Sequence, residues 1–219
     1  MKMIVVFEKG ARLRLIGHLD LMRAMQRALR RSDLPLRYSQ GFNPHILLNF
    51  AAPLSVGMSG KREIMEVPLE REVSAEEFLQ KLTAALPPDL PCLSARPVDD
   101  RHPAPMAQLT AAMYEAKMES MPENLDDCIA RFLAQPEIPA VRRTKSGDKP
   151  CDLRPMIYAL SRRGDTLCMT LALCEKGTCK PELLLSSLFA FAGQERPRTL
   201  ITRTQLLGGE DVLAPLETL

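Results

Sequence analysis

The chain of 219 residues is 46% hydrophobic and 26% charged, with a formal net charge of +2 at neutral pH. This length and composition suit a globular protein of one large or two small domains, and no apolar run approaches the roughly 18 residues of a membrane span. Met1 to Lys9 holds only a short apolar run stopped by charge, without the longer core and cleavage site of a secretion signal, so a cytoplasmic protein is expected. Residues 1–50 hold nine Lys/Arg against three Asp/Glu, whereas the remainder holds twenty against twenty-four. A basic segment on a slightly acidic body is the footprint of a surface that meets polyanions, although a solvated helix whose arginine stems cover apolar surface gives the same count.

In chain order, Met3 to Phe7 is an apolar, β-branched run that predicts a strand. After Lys9-Gly10, Leu13-Arg14-Leu15-Ile16 alternates by side and predicts a second extended piece. Residues 18–31 predict a helix, because Leu19, Met22, Met25, Ala28 and Leu29 recur at spacings of three or four and leave Arg23, Arg27, Arg30 and Arg31 opposite. Ile46 to Ala52 and Glu63 to Leu69 read as a strand pair, the second with one apolar face. Ser74 opens a helix with a capping box, since Glu77 follows at the third position. Pro87-Pro88 ends it, and Leu90 to Ala95 reads as a closing strand.

Residues 97–108, with three prolines, read as a linker. Beyond it the order returns: a strand over 111–120, a helix over 123–135, and an extended pair over 152–162 and 166–173 turning at Arg163-Gly164-Asp165. A helix then starts at Pro181 and stops at Gly193, and a strand runs from Thr199 to Leu207. The fold expected is α+β, two tandem ferredoxin-like (βαββαβ) units, residues 1–96 and 109–219, joined by the linker.

Two stretches invite a chemical role. His18 sits at the start of the basic helix with Asp20 two residues on. It could serve as a general acid or base on RNA, but the pair also explains itself as a cap on the helix's first N–H groups. Tyr38-Ser39-Gln40-Gly41-Phe42-Asn43-Pro44-His45 reads as a loop whose aromatic and imidazole rings either stack on unpaired bases or plug the domain's own core edge. Lys145 to Lys149, after Arg142 and Arg143, is a third basic stretch. It reads as a hairpin tip and lacks the glycine spacing of a phosphate loop. Asp152 and Arg154, two apart on a strand, share a face and are expected to pair.

Six cysteines (Cys92, Cys128, Cys151, Cys168, Cys174, Cys179) are scattered without the spacing of a zinc knuckle or an iron–sulfur cluster, and read as reduced, packed thiols. No cofactor or metal is expected of this chain alone.

Several long motifs carry a resemblance. Phe7-Glu8-Lys9-Gly10, the run from Arg14 to Arg23, Arg27 to Arg31, Leu34-Pro35-Leu36, Tyr38 to His45 and Pro53-Leu54-Ser55-Val56-Gly57 are similar to the radical-SAM-linked proteins. These form a bacterial domain family of unknown function, fused to or encoded beside a radical S-adenosylmethionine protein. Asp152-Leu153-Arg154-Pro155 resembles the family's second landmark. The resemblance implies a radical SAM protein as partner and supplies no reaction. A fainter, fold-level likeness runs to the CRISPR repeat-processing endoribonucleases.

The expectation from these readings is a non-catalytic accessory protein that presents a transfer or ribosomal RNA to a radical SAM enzyme. Its RNA-binding residues would be Arg14, His18, Arg23, Arg27, Arg30, Arg31, Tyr38, Gln40, Phe42, Asn43 and His45. The alternatives are a metal-independent endoribonuclease using His18 or His45, and a protein-interaction scaffold.

Overall fold

The computed structural model describes residues 1–144, 147–175, 177–209 and 212–219. The chain is a mixed α/β protein of two compact units, one formed by Met1–Leu109 with Arg203–Leu219, the other by Thr110–Thr202.

The first unit is built on β1 (Lys2–Lys9), which pairs antiparallel with β3 (Ser59–Pro68) on one side and β4 (Cys92–Val98) on the other. The short β2 (Asn49–Phe50) pairs antiparallel with β3. Helices α1 (His18–Arg31) and α2 (Ala75–Ala85) supply the cover. Met3, Val5 and Phe7 of β1 and Met65 and Val67 of β3 share a core with Leu21, Met25 and Leu29 of α1 and Phe78 and Leu82 of α2. Ile4 and Val6 are also buried, so β1 is closed on both faces. A central strand of that kind is a continuous apolar run rather than an alternating one.

The expected helix over 18–31 is found with those bounds, and the Ser74 hydroxyl caps α2 by accepting the Glu77 N–H at 3.1 Å. Leu13–Ile16 is not a strand. Ala11–Leu13 forms a 3-10 turn, and the chain loops from there into α1. The strand pair of residues 46–52 and 63–69 shrinks to two residues of β2 against β3. Both faces of residues 63–69 are buried. Pro97 and Val98, read as linker, instead pair with Met3 and Lys2, and Pro105–Gln108 forms the short helix α3.

In the second unit, β9 (Thr166–Cys174) lies between β5 (Leu109–Met118) and β8 (Ile157–Arg163), antiparallel to both. The β8–β9 turn at Gly164 has φ +62°, a left-handed conformation suited to glycine. Helices α4 (Leu125–Leu133) and α5 (Pro181–Phe191) bring Phe132 and Phe191 edge to face at 5.5 Å. Between α4 and β8 a hairpin stands alone, β6 (Pro139–Thr144) against β7 (Gly147–Asp152). Of the basic stretch 145–149, Gly147 to Lys149 belong to β7, and Lys145 and Ser146 lie outside the described residues.

Asp152 and Arg154 do not pair as expected. Asp152 accepts the backbone N–H groups of Ile138 (2.7 Å) and Arg154 (2.9 Å), while the Arg154 guanidinium donates to the Leu133 carbonyl (2.9 Å). The chain turns at Leu153 instead of continuing as a strand, which removes the shared face. Among the described residues, no helix is long and apolar enough to cross a membrane.

Candidate nucleic-acid interface

Helix α1 separates its residues cleanly. Leu21, Met25, Ala28 and Leu29 are buried, while Arg23, Arg27, Arg30 and Arg31 are exposed. Spacings of four and three put Arg23, Arg27 and Arg30 on one face. Arg23 pairs with Asp20 at 3.1 Å, and Arg31 donates to the Ala85 carbonyl at 2.7 Å. Among the described residues, Arg27 and Arg30 make no hydrogen bond or ion pair, so their guanidinium groups are available to a ligand.

Beside this face stands the loop from Tyr38 to His45. Its neck is closed by a Tyr38–Ile46 bridge, by Ser39 N–H donating to the His45 carbonyl (2.9 Å) and by Leu47 N–H donating to the Arg37 carbonyl (3.0 Å). The Ser39 hydroxyl accepts the His45 N–H (3.1 Å) and bonds to His45 Nδ1 (2.8 Å). Gly41 has φ +121°, which lets the tip reverse within a few residues. At that tip the Phe42 side chain is fully exposed, at 106% of its reference area. The reading in which the loop's aromatics plug the core edge therefore fails for Phe42. Tyr38 is partly exposed, and Gln40 and Asn43 of the same segment are exposed. Helix and loop are tied together, since Gln26, between Arg23 and Arg30 along the helix, donates to the Ile46 carbonyl at 3.3 Å.

His18 is not the cap. Gly17 occupies the N-cap position with extended backbone, and there is no side-chain cap hydrogen bond there among the described residues. The His18 ring packs edge-on against Phe50 at 5.4 Å, and Phe50 in turn lies 5.6 Å from Phe7. Asp20 stays in the first turn, where the helix dipole favours a carboxylate. His45 uses Nδ1 to close the loop neck, which explains its presence structurally and leaves only Nε2 for a ligand. Arg14 is exposed, with its guanidinium on the Ala11 carbonyl at 3.2 Å.

Among the residues that the sequence did not single out individually are four buried charges: Glu66, paired with Lys2 at 3.2 Å, and the cluster of Lys9, Glu63 and Arg203. Arg203 forks onto Glu63, with Nε to Oε1 at 2.9 Å and Nη2 to Oε2 at 2.5 Å, and also donates to the Ala52 and Pro53 carbonyls. Lys9 Nζ donates to the carbonyls of Ile16 (2.9 Å), Met58 (3.3 Å) and Arg14 (3.4 Å). Burial lowers the pKa of Lys9, with the Glu63 carboxylate opposing that shift and Arg203 adding to it. Gly60 has no Cβ because Glu63 Cγ would lie 2.6 Å from it. That cluster thus binds the 10–17 and 52–58 loops to the end of the sheet. Gly57 N–H completes the tie by donating to the Arg14 carbonyl at 2.8 Å. One signal was available in the sequence: a lysine closing an apolar strand and an arginine inside a β-branched one are costly unless paired.

A groove elsewhere in this unit is lined by Glu70, Glu72, Glu77, Asp99 and Asp100 and includes neither His18 nor His45. That groove is mainly acidic, with Arg71 also on its wall, whereas the arginines of α1 and Phe42 are exposed to solvent. Among the described residues, no three His, Cys, Asp or Glu side chains are grouped to hold a metal ion.

The geometry defines an α/β protein whose first unit carries an outward basic and aromatic surface. Residues 2–181 match the model of the bacterial family described as "Uncharacterized protein conserved in bacteria (DUF2344)", and the chain belongs to that family. No curated protein matches the chain.

Proposed function

We propose that this chain is a non-catalytic accessory protein that binds a transfer or ribosomal RNA and presents it to a radical SAM enzyme. The observation that carries the RNA reading is the fully exposed Phe42 on a loop closed by the Ser39–His45 bonds and tethered to the arginine face of α1. An aromatic face for stacking beside cations for phosphates is how unpaired nucleic acid is held. Arg23, Arg27, Arg30 and Arg31 would meet the backbone, with Arg14 and His18 at the helix start. Tyr38, Gln40, Asn43 and His45 would surround the stacked base. The partner enzyme rests on the resemblance of the long N-terminal motifs alone. The ferredoxin-like reading of each unit is likewise part of this proposal, supported in the first unit by β1 pairing antiparallel with both β3 and β4 beneath two helices.

The test is an RNA-binding isotherm in chelator at several salt concentrations. Wild type should bind, with log affinity falling by roughly 0.7 per log unit of salt for each phosphate met. Arg23→Glu/Arg27→Glu/Arg30→Glu should lose binding at unchanged melting temperature. A wild type without RNA affinity at low salt would refute the reading. Copurification of a radical SAM enzyme with the tagged full chain from cells tests the partnership separately, and its absence would refute it.

A further inference from the structure

Helix α1 and the 38–45 loop offer a ligand rings and cations in unequal supply. The first unit contains five Phe and Tyr residues and no Trp: Phe7, Phe50 and Phe78 are buried, Tyr38 lies at the loop neck with 38% of its area exposed, and Phe42 alone is fully free. A run of successive unpaired bases is held by several rings in series. One free ring takes one base. The cations, by contrast, form a row. Arg23, Arg27 and Arg30 span seven residues of one helix, about 10 Å from first to last, and among the described residues Arg27 and Arg30 make no hydrogen bond or ion pair. Ring and row are also held in register. Gln26 stands three positions after Arg23 and four before Arg30, so it belongs to the same stripe, and its side chain donates to the Ile46 carbonyl just beyond the loop. The Ser39–His45 bonds close the loop neck beneath Phe42.

We infer that the RNA recognised at this site is a base-paired stem carrying a single unpaired nucleotide, with the stem backbone on Arg23, Arg27 and Arg30 and the unpaired base turned out onto Phe42. This rests on the RNA reading above and narrows it. A straight, rigid row of cations fits phosphates that are already held in place, as they are in a stem. A flexible strand would have to be ordered along the row, with only one stacked base to offset that entropy. The base itself must come from outside the pairing. An unpaired nucleotide costs least to take out of the stack, and stems are otherwise read through shape and backbone because their base edges are hard to reach. Gln40 and Asn43, exposed on either side of Phe42 along the chain, carry amides that both donate to and accept from the edge of a displaced base.

The experiment titrates the full chain, in chelator at low salt, with three RNAs: a blunt perfect duplex, the same duplex with one bulged 2-aminopurine nucleotide, and the bulge-bearing strand alone. The bulged duplex should bind about tenfold tighter than either of the others, the scale of one stacked base. Its 2-aminopurine fluorescence should rise as the base leaves its stacked neighbours for Phe42. In Phe42→Ala, which should keep its melting temperature, the bulged duplex should fall to the affinity of the perfect one and the fluorescence rise should vanish. Arg27→Gln/Arg30→Gln should instead weaken both duplexes by the same factor. Three results would overturn this inference while leaving the RNA reading in place: equal affinity for the bulged and perfect duplexes, a single strand bound as tightly as the bulged duplex, or a bulge preference that survives Phe42→Ala. Failure of all three RNAs to bind would refute the RNA reading, and this inference with it.

Discussion

Two parts of the first unit invert the usual distribution of side chains. At the end of the β1–β3 pair, three charges lie inside, and each finds partners: Arg203 on Glu63 and two carbonyls, Lys9 on three carbonyls. At the 38–45 loop a phenylalanine lies outside with nothing of its own chain over it, although the backbone beneath is closed by four neck bonds. The contrast separates what orders a surface from what the surface offers. Buried charge fixes loops, and exposed apolar groups on fixed loops are the parts that await something else. Stability and binding should therefore respond to different residues.

The largest expected effect comes from the inside. Glu63 is the single anion between two buried cations, so Glu63→Gln should cost about 3–5 kcal/mol in urea unfolding. Arg203→Met should cost less, because Lys9 still neutralises Glu63. A reversed order would show that the carbonyl bonds of Arg203, not the charge balance, hold the loops.

A second effect concerns buried groups that stay neutral. Burial pushes the thiols of Cys92 and Cys179 up to about 12, from an ordinary value of 9.0. Between these values the unfolded chain has released protons that the folded chain keeps. Stability present below pH 9 is therefore lost as pH rises, by about 1.4 kcal/mol per pH unit for each thiol. Lys9 works in the opposite sense: its folded pKa is lowered below 10.5, so between those values the unfolded state binds more protons and stability rises with pH. Comparing Cys92→Ala with wild type isolates the thiol, and the variant should show the shallower alkaline decline. Equal slopes would mean that Cys92 ionises in the folded state.

The elements legible in the sequence were those set by neighbours along the chain. Helix α1 has its apolar spacing within its own 14 residues, and α2 its cap within three. What escaped depends on distance. Glu63 and Arg203 are separated by 140 positions, and Lys9 reaches Met58 across 49. Leu13–Ile16 alternates like a strand, yet its carbonyls are drawn to Lys9, and Ala11–Leu13 closes as a turn. His18 looked like a cap because a polar residue precedes the helical stripe, but Gly17 holds that position and Phe50, from a distant strand, takes the ring. The Phe42 loop was recognisable as a loop, while the direction of its aromatic was open until the neck bonds were visible.

His18→Asn sharpens the comparison at its small end. The cap at Gly17 is untouched, so only the edge contact with Phe50 is lost, about 0.5–1.5 kcal/mol by denaturant titration. A larger loss would give His18 a structural part beyond that contact. Specific RNA cuts made by wild type in chelator and missing from the Asn form would instead make it a general base.

The most direct measurement is the RNA affinity of Phe42→Ala taken together with its melting temperature. Removing a side chain that buries nothing should leave the melting temperature where it is, while affinity for single-stranded RNA falls by about 1–3 kcal/mol, roughly five- to 150-fold. Unchanged affinity in a protein whose wild type binds RNA would contradict the assignment of this loop as the base-stacking element, and a lowered melting temperature would show that Phe42 packs against the protein after all.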